Sequence, residues 1–392
     1  MRFIGMLKKG SFFAVSIFVV AGILNGLSAF AQQSSSVQFK PYGYIKLDTS
    51  YDTARAAYGD ILFWTQPDTA AGGDKQELNF SARGTRLGVN IIAPENRSIK
   101  VAGRIEGDLC EEISTPNKYA PRLRLAYIEA AWGEGWSLRF GQDWDTYVNI
   151  HPDMVDASIL AFHGHPYGRH PQIRLTKETK LGEKTFLTTK LALQHGRNGS
   201  DLDADGQPDE NASSSPNFHG SLVFKTGLLT DRPTLFSISA AYGREKALRA
   251  GNSETFRSLL IDGTLQLPIS KHFTLQGEGW AGENVDNYFA GIGQGVNMNT
   301  GATISSIGGW VQGVYSFNKT VKVGAGYGID DPDDNELSGN AKTLNDRIFT
   351  NVFYNLTDKL TFGLEYSWMH TDYAVTKNAQ NHRVHFGVQY TF

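Results

Sequence analysis

The sequence has almost no cysteine: Cys110 is the only one in 392 residues. No disulfide can form within the chain, so its stability cannot rest on one even in an oxidising compartment. Proline is sparse, and no basic run suggests nucleic acid. No Ser-His-Asp or Cys-His set stands in an interpretable arrangement, so no enzyme is expected. Gly291-Ile292-Gly293-Gln294-Gly295 lacks the spacing and the following helix of a phosphate loop. Beyond one N-terminal segment there is no apolar run long enough for a helical span, and the mean hydropathy is negative. If such a chain crosses a membrane, it must do so with strands, whose alternation hides from hydropathy averages.

The N-terminus carries an export signal. Arg2, Lys8 and Lys9 precede an apolar run from Phe12 to Leu27, broken only by Ser16, Gly22, Asn25 and Gly26. Ala29-Phe30-Ala31 fits a small-x-small cleavage site. Residues 1–31 are therefore expected to be removed, leaving residues 32–392 as one barrel domain. That chain has 34 Lys plus Arg against 40 Asp plus Glu, a formal net charge of −6.

What is present is period two. At the C-terminus Val384, Phe386, Val388, Tyr390 and Phe392 alternate with His385, Gly387, Gln389 and Thr391. One face is greasy and the other wet. The strand ends on an aromatic at the terminal carboxylate. A transmembrane barrel needs such an ending, because its last strand pairs with its first and carries lipid-facing side chains to the end. The ending resembles the C-terminal signature of outer-membrane barrels, which implies that Phe392 is read by the barrel assembly machinery.

Sixteen period-two segments can be placed, near 39–51, 78–92, 98–110, 121–132, 136–144, 171–177, 185–195, 217–226, 234–244, 255–267, 273–282, 305–317, 321–329, 345–355, 360–370 and 382–392. The gaps alternate short and long. The long ones are 52–77, 111–120, 145–170, 196–216, 245–254, 283–304, 330–344 and 371–381. Short periplasmic turns and long external loops are the pattern of an outer-membrane barrel. A propeller or sandwich has no reason to alternate its gaps so consistently. The fold expected is all-β, a transmembrane antiparallel up-and-down barrel of about 16 strands, set in outer-membrane lipid. One strand breaks register: Leu78, Phe80 and Ala82 are even, whereas Leu87, Val89 and Ile91 are odd. Gly84 between them marks a bulge.

Charge facing hydrocarbon costs ~2–4 kcal/mol at the midplane, so the charged faces must line a lumen. Sixteen strands leave that lumen open to water. Its early strands carry Arg86, Lys100, Arg104, Arg122, Arg124, Arg139 and Arg174, joined by Lys46 and by Arg83 at the register break. The acids Asp48, Glu106, Asp108 and Asp143 are available to pair with some of them. Later strands add Asp262, Glu278 and Glu365, with Arg347. A basic arc of this kind favours anions. Loop 145–170 is the third external loop by strand count, the one that general porins fold inward as a constriction. It offers Asp153, Asp156, His163, His165, Arg169 and His170. The histidine spacing fits no trusted zinc pattern, so pore lining is expected there. The main expectation is a diffusion channel. The alternative is a barrel acting as adhesin or receptor through its external loops.

Several segments together look familiar. Phe39-Lys40-Pro41-Tyr42-Gly43-Tyr44-Ile45-Lys46-Leu47-Asp48 opens the barrel, and Arg139-Phe140-Gly141-Gln142-Asp143-Trp144 leads into the inward loop. Pro171-Gln172-Ile173-Arg174, Gly277-Glu278-Gly279-Trp280, Gly291 to Val296 and Gly308-Gly309-Trp310 follow in order. The set resembles the DcaP-like family of trimeric porins over nearly the whole mature chain. The resemblance implies a sixteen-stranded homotrimeric channel for small anionic solutes, with Arg139 and Arg174 flanking the constriction loop. One feature departs: only Gln32 to Gln38 precede the barrel, so the helical N-terminal extension of that family is missing and one source of trimer stability with it.

No cofactor is required by this reading, but loop 196–216 suggests a metal. In Asp201-Leu202-Asp203-Ala204-Asp205-Gly206-Gln207-Pro208-Asp209-Glu210, acidic oxygens recur at every second position before a glycine turn. It is not an EF-hand, since the twelfth position from Asp201 is Ala212. It resembles the short calcium repeats of thrombospondin type 3; the other reading is a solvated acidic loop. If Asp201, Asp203, Asp205 and Asp209 hold Ca²⁺, affinity should be ~10⁻⁴–10⁻³ M, because no bidentate Glu closes the site. Limited proteolysis should then show the loop protected by Ca²⁺ and the protection lost in Asp203→Ala. Equal cleavage with and without Ca²⁺ returns it to a solvated loop.

Overall fold

Period-two alternation closes this chain on itself. The computed structural model describes residues 37–69, 75–94, 98–111, 118–196, 210–211, 215–249 and 252–392. The expected export signal at residues 1–31 and the acidic loop with Asp201, Asp203, Asp205 and Asp209 lie outside the described residues. Sixteen antiparallel wall strands follow one another. They are β1 (Gln38–Asp52), β2 in two segments (Glu77–Ser81 and Arg86–Ile92), β3 (Ile99–Asp108), β4 (Arg122–Trp132), β5 (Trp136–Trp144), β6 (Arg169–Lys180), β7 (Phe186–Gln194) and β8 (Asn217–Thr226). The second half holds β9 (Thr234–Arg249), β10 (Asn252–Pro268), β11 (Phe273–Glu283), β12 (Ser305–Ser316), β13 (Val321–Pro332), β14 (Lys342–Asn355), β15 (Leu360–Tyr373) and β16 (Ala379–Thr391). Each pairs with its neighbour, and β1 pairs with β16 from Tyr44↔Thr391 to Asp52↔Arg383. Closure leaves no edge with unpaired backbone in lipid.

The facing follows the alternation. Ile45, Leu47 and Tyr51 point out from β1, and Ile99, Val101 and Ile105 from β3, while Asp48, Ser50, Glu106 and Asp108 are buried inside. Leu364, Tyr366, Val384 and Phe386 continue the outer band across β15 and β16. The break in β2 falls at Ala82–Thr85, around Gly84. Its consequence is chemical: Arg83 turns inward and pairs with Asp60 at 2.9 Å. A second irregularity, not visible in the alternation, lies opposite Glu106 and Gly107, where β4 carries an extra residue at Arg124.

Three gaps are shorter than the sequence suggests. The gap at 245–254 is mostly strand, since β9 runs to Arg249 and β10 begins at Asn252. β13 runs to Pro332 and β14 begins at Lys342, while β15 and β16 leave only 374–378 between them. Their polar residues conceal strands that continue beyond the apolar band, where no lipid enforces alternation.

The core lies inside the lumen. Loop 145–168 folds inward and packs Leu160 against Trp310 and Phe349. Residues Ala56–Tyr58 and Ile61–Thr65 of the first external loop form a small hairpin that also turns inward. Phe63 meets Phe162 edge-on at 5.1 Å. Loop 284–304 brings Phe289 flat onto Tyr167 at 4.9 Å. Gly164, at φ +96°, lets the third loop touch the wall: a Cβ there would strike the Gly309 carbonyl, and Trp280 Nε1 donates to the Gly164 carbonyl at 3.0 Å. A charge on the outer face should be costly. Leu47→Arg is expected to lower stability by ~2–4 kcal/mol, read from denaturant titrations of the refolded barrel in bilayers.

Candidate functional site: the lumen and its constriction

Two cavities flank the third loop. The upper one has a volume of about 1130 Å³ and opens among the external loops; the lower, about 470 Å³, opens among the short turns. Both are lined by Lys46, Met154, Val155 and Gln389, which therefore mark the constriction. Lys46 Nζ donates to the Val155 carbonyl at 2.8 Å and pairs with Asp48 at 2.9 Å. Strand β1 thus holds the tip of the loop from below.

The loop is anchored by a carboxylate. Asp156 is buried and meets Arg383 at 3.0 Å and Arg347 at 3.6 Å. Arg383 also takes Asp52 at 2.8 Å, and Arg347 takes Glu365 at 2.8 Å. Burial alone would raise the Asp156 carboxyl, but Arg347, His385 and Arg383 outweigh it and hold it well below the usual carboxylate range. His385 lies between Asp48 at 2.9 Å and Asp156 at 3.8 Å. Asp153 pairs with Lys322 at 2.9 Å across the lumen.

Of the residues proposed from the sequence, Lys46, Arg86, Asp108, Arg122, Arg124, Asp156 and Arg169 line the upper cavity. Arg122 reaches Asp108 at 2.8 Å, and Arg124 reaches Asp108 at 2.8 Å and Glu106 at 2.9 Å. Arg86 is 3.6 Å from Glu106. Two carboxylates thus serve three guanidiniums. Arg169 makes no ion pair among the described residues; its guanidinium lies over the Trp144 ring at 4.6 Å, with Arg124 over the same ring at 5.6 Å. A cation held on an aromatic face keeps its charge available.

Arg139 and Arg174 stand opposite each other on β5 and β6, at the foot of the loop. Like charges in that register repel, and the wall resolves it with acids. Asp143 bridges both, taking Arg174 at 2.6 Å, and Glu129 takes Arg139 at 2.6 Å. Neither arginine lines either cavity. Arg104 donates to Asn90 at 2.8 Å, and Lys100 is exposed at the short-turn end. His163 is fully buried, and burial pushes its imidazole down to about 3. His165 shares a hydrogen bond with Glu278 at 2.5 Å and another with His151 at 3.0 Å. Arg169 and His170 belong to β6 rather than to the loop, and His170 meets Asp145 at 2.9 Å. Asp262 is buried in the wall of β10.

The sequence reading missed the other face of the upper cavity. Tyr58, Phe63, Trp64, Phe162, Tyr167 and Phe289 line it with aromatic rings. All six come from loops or a strand edge. Large aromatics crowded into gaps that should be solvated were the available signal.

With this geometry, the fold is the closed sixteen-stranded antiparallel barrel that solved porin structures share. The likeness expected from the motifs is met in the fold. The chain is similar to the outer-membrane channel DcaP of Acinetobacter baumannii, with a TM-score of 0.74 and 21% identity over 92% of this chain and 98% of that one. It is also similar to an anion-selective porin from Comamonas acidovorans (TM-score 0.61, 13% identity, 91% and 100% covered). OmpT of Vibrio cholerae, in a trimer form, superposes with a TM-score of 0.53 at 12% identity, over 91% and 100% of the two chains. No protein-family model and no curated protein matches the sequence.

Removing the anchor should free the loop. Asp156→Asn is expected to destabilise by ~3–5 kcal/mol, as when one partner of a buried pair is lost. A lower thermal transition and faster cleavage between residues 145 and 168 would show it. A depressed carboxyl stabilises above its unfolded value and is lost only as pH falls through its folded one. Conductance should therefore stay constant from pH 7 down to about 4, near the ordinary Asp value.

Proposed function

We propose that the protein is a passive diffusion channel of the outer membrane for small hydrophilic anions. The observation that carries this reading is the arginine cluster of the upper cavity. Arg86, Arg122, Arg124 and Arg169 converge on it, Glu106 and Asp108 are the carboxylates paired with the first three, and Glu111, Asp156 and Asp286 are the lining's other acids. An anion entering from outside meets Arg169 first without displacing a carboxylate, then passes Lys46 at the constriction. Fixed guanidiniums in a narrow, low-dielectric passage raise the local concentration of the oppositely charged solute. Arg139 and Arg174, each held by carboxylates, contribute less to that field.

We further propose that the barrel works as a homotrimer and that its last strand, ending at Phe392, is the segment read on assembly. The Phe392 amide donates to the Gly43 carbonyl at 3.1 Å, so the final residue is seated in the β1–β16 seam. Under a salt gradient, the reversal potential should report anion preference. Arg169→Gln should lower the anion-to-cation permeability ratio several-fold, and Arg86→Glu with Arg169→Glu should reverse it. Cation preference in the wild type, unchanged in both variants, would refute the reading.

A further inference from the structure

The outer face carries an arrangement that passage through the lumen does not explain. Arg244 on β9 and Arg257 on β10 stand directly opposite each other in register. Both share the outward parity of Tyr242 and Ile261, and both are exposed. Like charges in that relation repel. Arg257 is answered by Glu283 on β11, which accepts two hydrogen bonds from its guanidinium, the one from Nη2 at 2.7 Å. Neither Arg244 nor Lys246, the next outward residue of β9, makes an ion pair among the described residues. The outer face therefore keeps two cations here that no described residue neutralises.

Their height on the wall decides what they meet. The outward side chains of β10 run from Leu267 through Leu265, Ile261 and Leu259 to Arg257. Leu267 and Arg257 are ten positions apart. At ~3.3 Å per residue and a tilt of ~40°, that stretch climbs roughly 25 Å, the height of the apolar band of an outer-membrane barrel. The two arginines thus emerge from hydrocarbon at its external edge, among the headgroups of the outer leaflet. Phe218, Ile238, Tyr242 and Ile261 are exposed and form the apolar surface below them. The rim is not basic all round: Asp331, Asp346 and Asp372 take outward positions at the same end of β13, β14 and β15. The mature chain is net negative, so the cations of β9 and β10 are a local feature and not part of a generally basic surface.

We infer that Arg244, Lys246 and Arg257 form a docking site for a phosphate of the outer-leaflet glycolipid, whose acyl chains lie against Ile238, Tyr242 and Ile261. The lipid of that leaflet is a phosphorylated, multiply acylated sugar, so one molecule presents both parts the site needs. Guanidinium forks match phosphate oxygens with paired hydrogen bonds. A phosphate set between Arg244 and Arg257 turns their repulsion into attraction to a common anion. Glu283 uses Nε and Nη2 of Arg257 and leaves Nη1 for the lipid. The inference rests on the outer-membrane location and not on the selectivity of the lumen.

The test uses the full mature barrel in detergent, with bisphosphorylated lipid A as the probe and native mass spectrometry to count bound lipids. The same lipid with its phosphates removed, and inorganic phosphate alone, separate the headgroup charge from acyl contact and from a free anion. Saturable binding of lipid A is expected, with a rise in the thermal transition that high salt weakens. Each cation at a membrane surface is worth about fivefold in affinity, so Arg244→Gln with Lys246→Gln should weaken lipid A roughly 25-fold. Arg244→Lys keeps the charge and should stay within a few-fold of wild type. The reversal potential should be the same in all of these variants, which separates this site from the lumen. Equal affinity for lipid A in wild type and the double variant would overturn the site. So would equal binding of the dephosphorylated lipid, or inorganic phosphate raising the thermal transition as much as lipid A does. A double variant that dissociates into monomers in the absence of lipid would also overturn it, because the face would then be a contact between copies of the chain.

Discussion

The lumen of this barrel depends on one buried anion. Asp156 sits at the far end of a loop that leaves the wall at β5 and rejoins it at β6, and it is met by arginines from β14 and β16. Arg347 and Arg383 are both 0% exposed. Two buried guanidiniums would be untenable alone, since each loses several kcal/mol of solvation. Asp52, Asp156 and Glu365 answer them, and the hydrogen bonds from Arg383 to the Gly59 and Asp60 carbonyls use its remaining donors. The same arginine therefore secures the third loop and the inward hairpin of the first. Breaking the network at Asp156 would free the loop that separates the two cavities.

That network explains why the constriction has a definite charge. Lys46 is held at the tip by the Val155 carbonyl and Asp48, and Asp48 is shared with His385, which in turn approaches Asp156. Position and sign are thus set together: the groups that fix the loop also place a cation beside its tip. Further along the wall from β1 the arginines are arranged differently. Arg122 and Arg124 lie over a carboxylate layer, whereas Arg169 rests on Trp144. Carboxylates behind the guanidiniums lower the cost of crowding them, and the aromatic face supports one without neutralising it. The result is a graded field rather than a uniformly basic wall.

The wall was legible in the sequence because lipid leaves little freedom there. Ile45, Leu47 and Tyr51 must face out, and so the register of β1 follows. The break at Gly84 was legible for the same reason, as a change of parity. The lumen carries no such constraint. Arg139 and Arg174 look like pore residues by parity, and nothing local shows that Glu129 and Asp143 hold them. The partners of Asp156 lie far away in sequence, on β14 and β16, and the inward hairpin at 56–65 reads as an external loop until it meets Phe162. Period two fixes which face a side chain occupies, not which charge it finds there.

The three inward loops differ in how they are held, and the difference bears on selectivity. The first and third share Arg383 and the contact of Phe63 with Phe162. The sixth, at 284–304, joins them through Phe289 on Tyr167 and Ile292 against the same cluster. Tyr167 belongs to the third loop and lies two residues before Arg169. A shift of the sixth loop therefore reaches Arg169 through one stacked ring pair, without touching the charged wall. The aromatic face is then a mechanical link as well as a lining. It couples the sixth loop to the one cavity arginine that has no carboxylate of its own among the described residues, and selectivity should respond to whatever holds that loop in place.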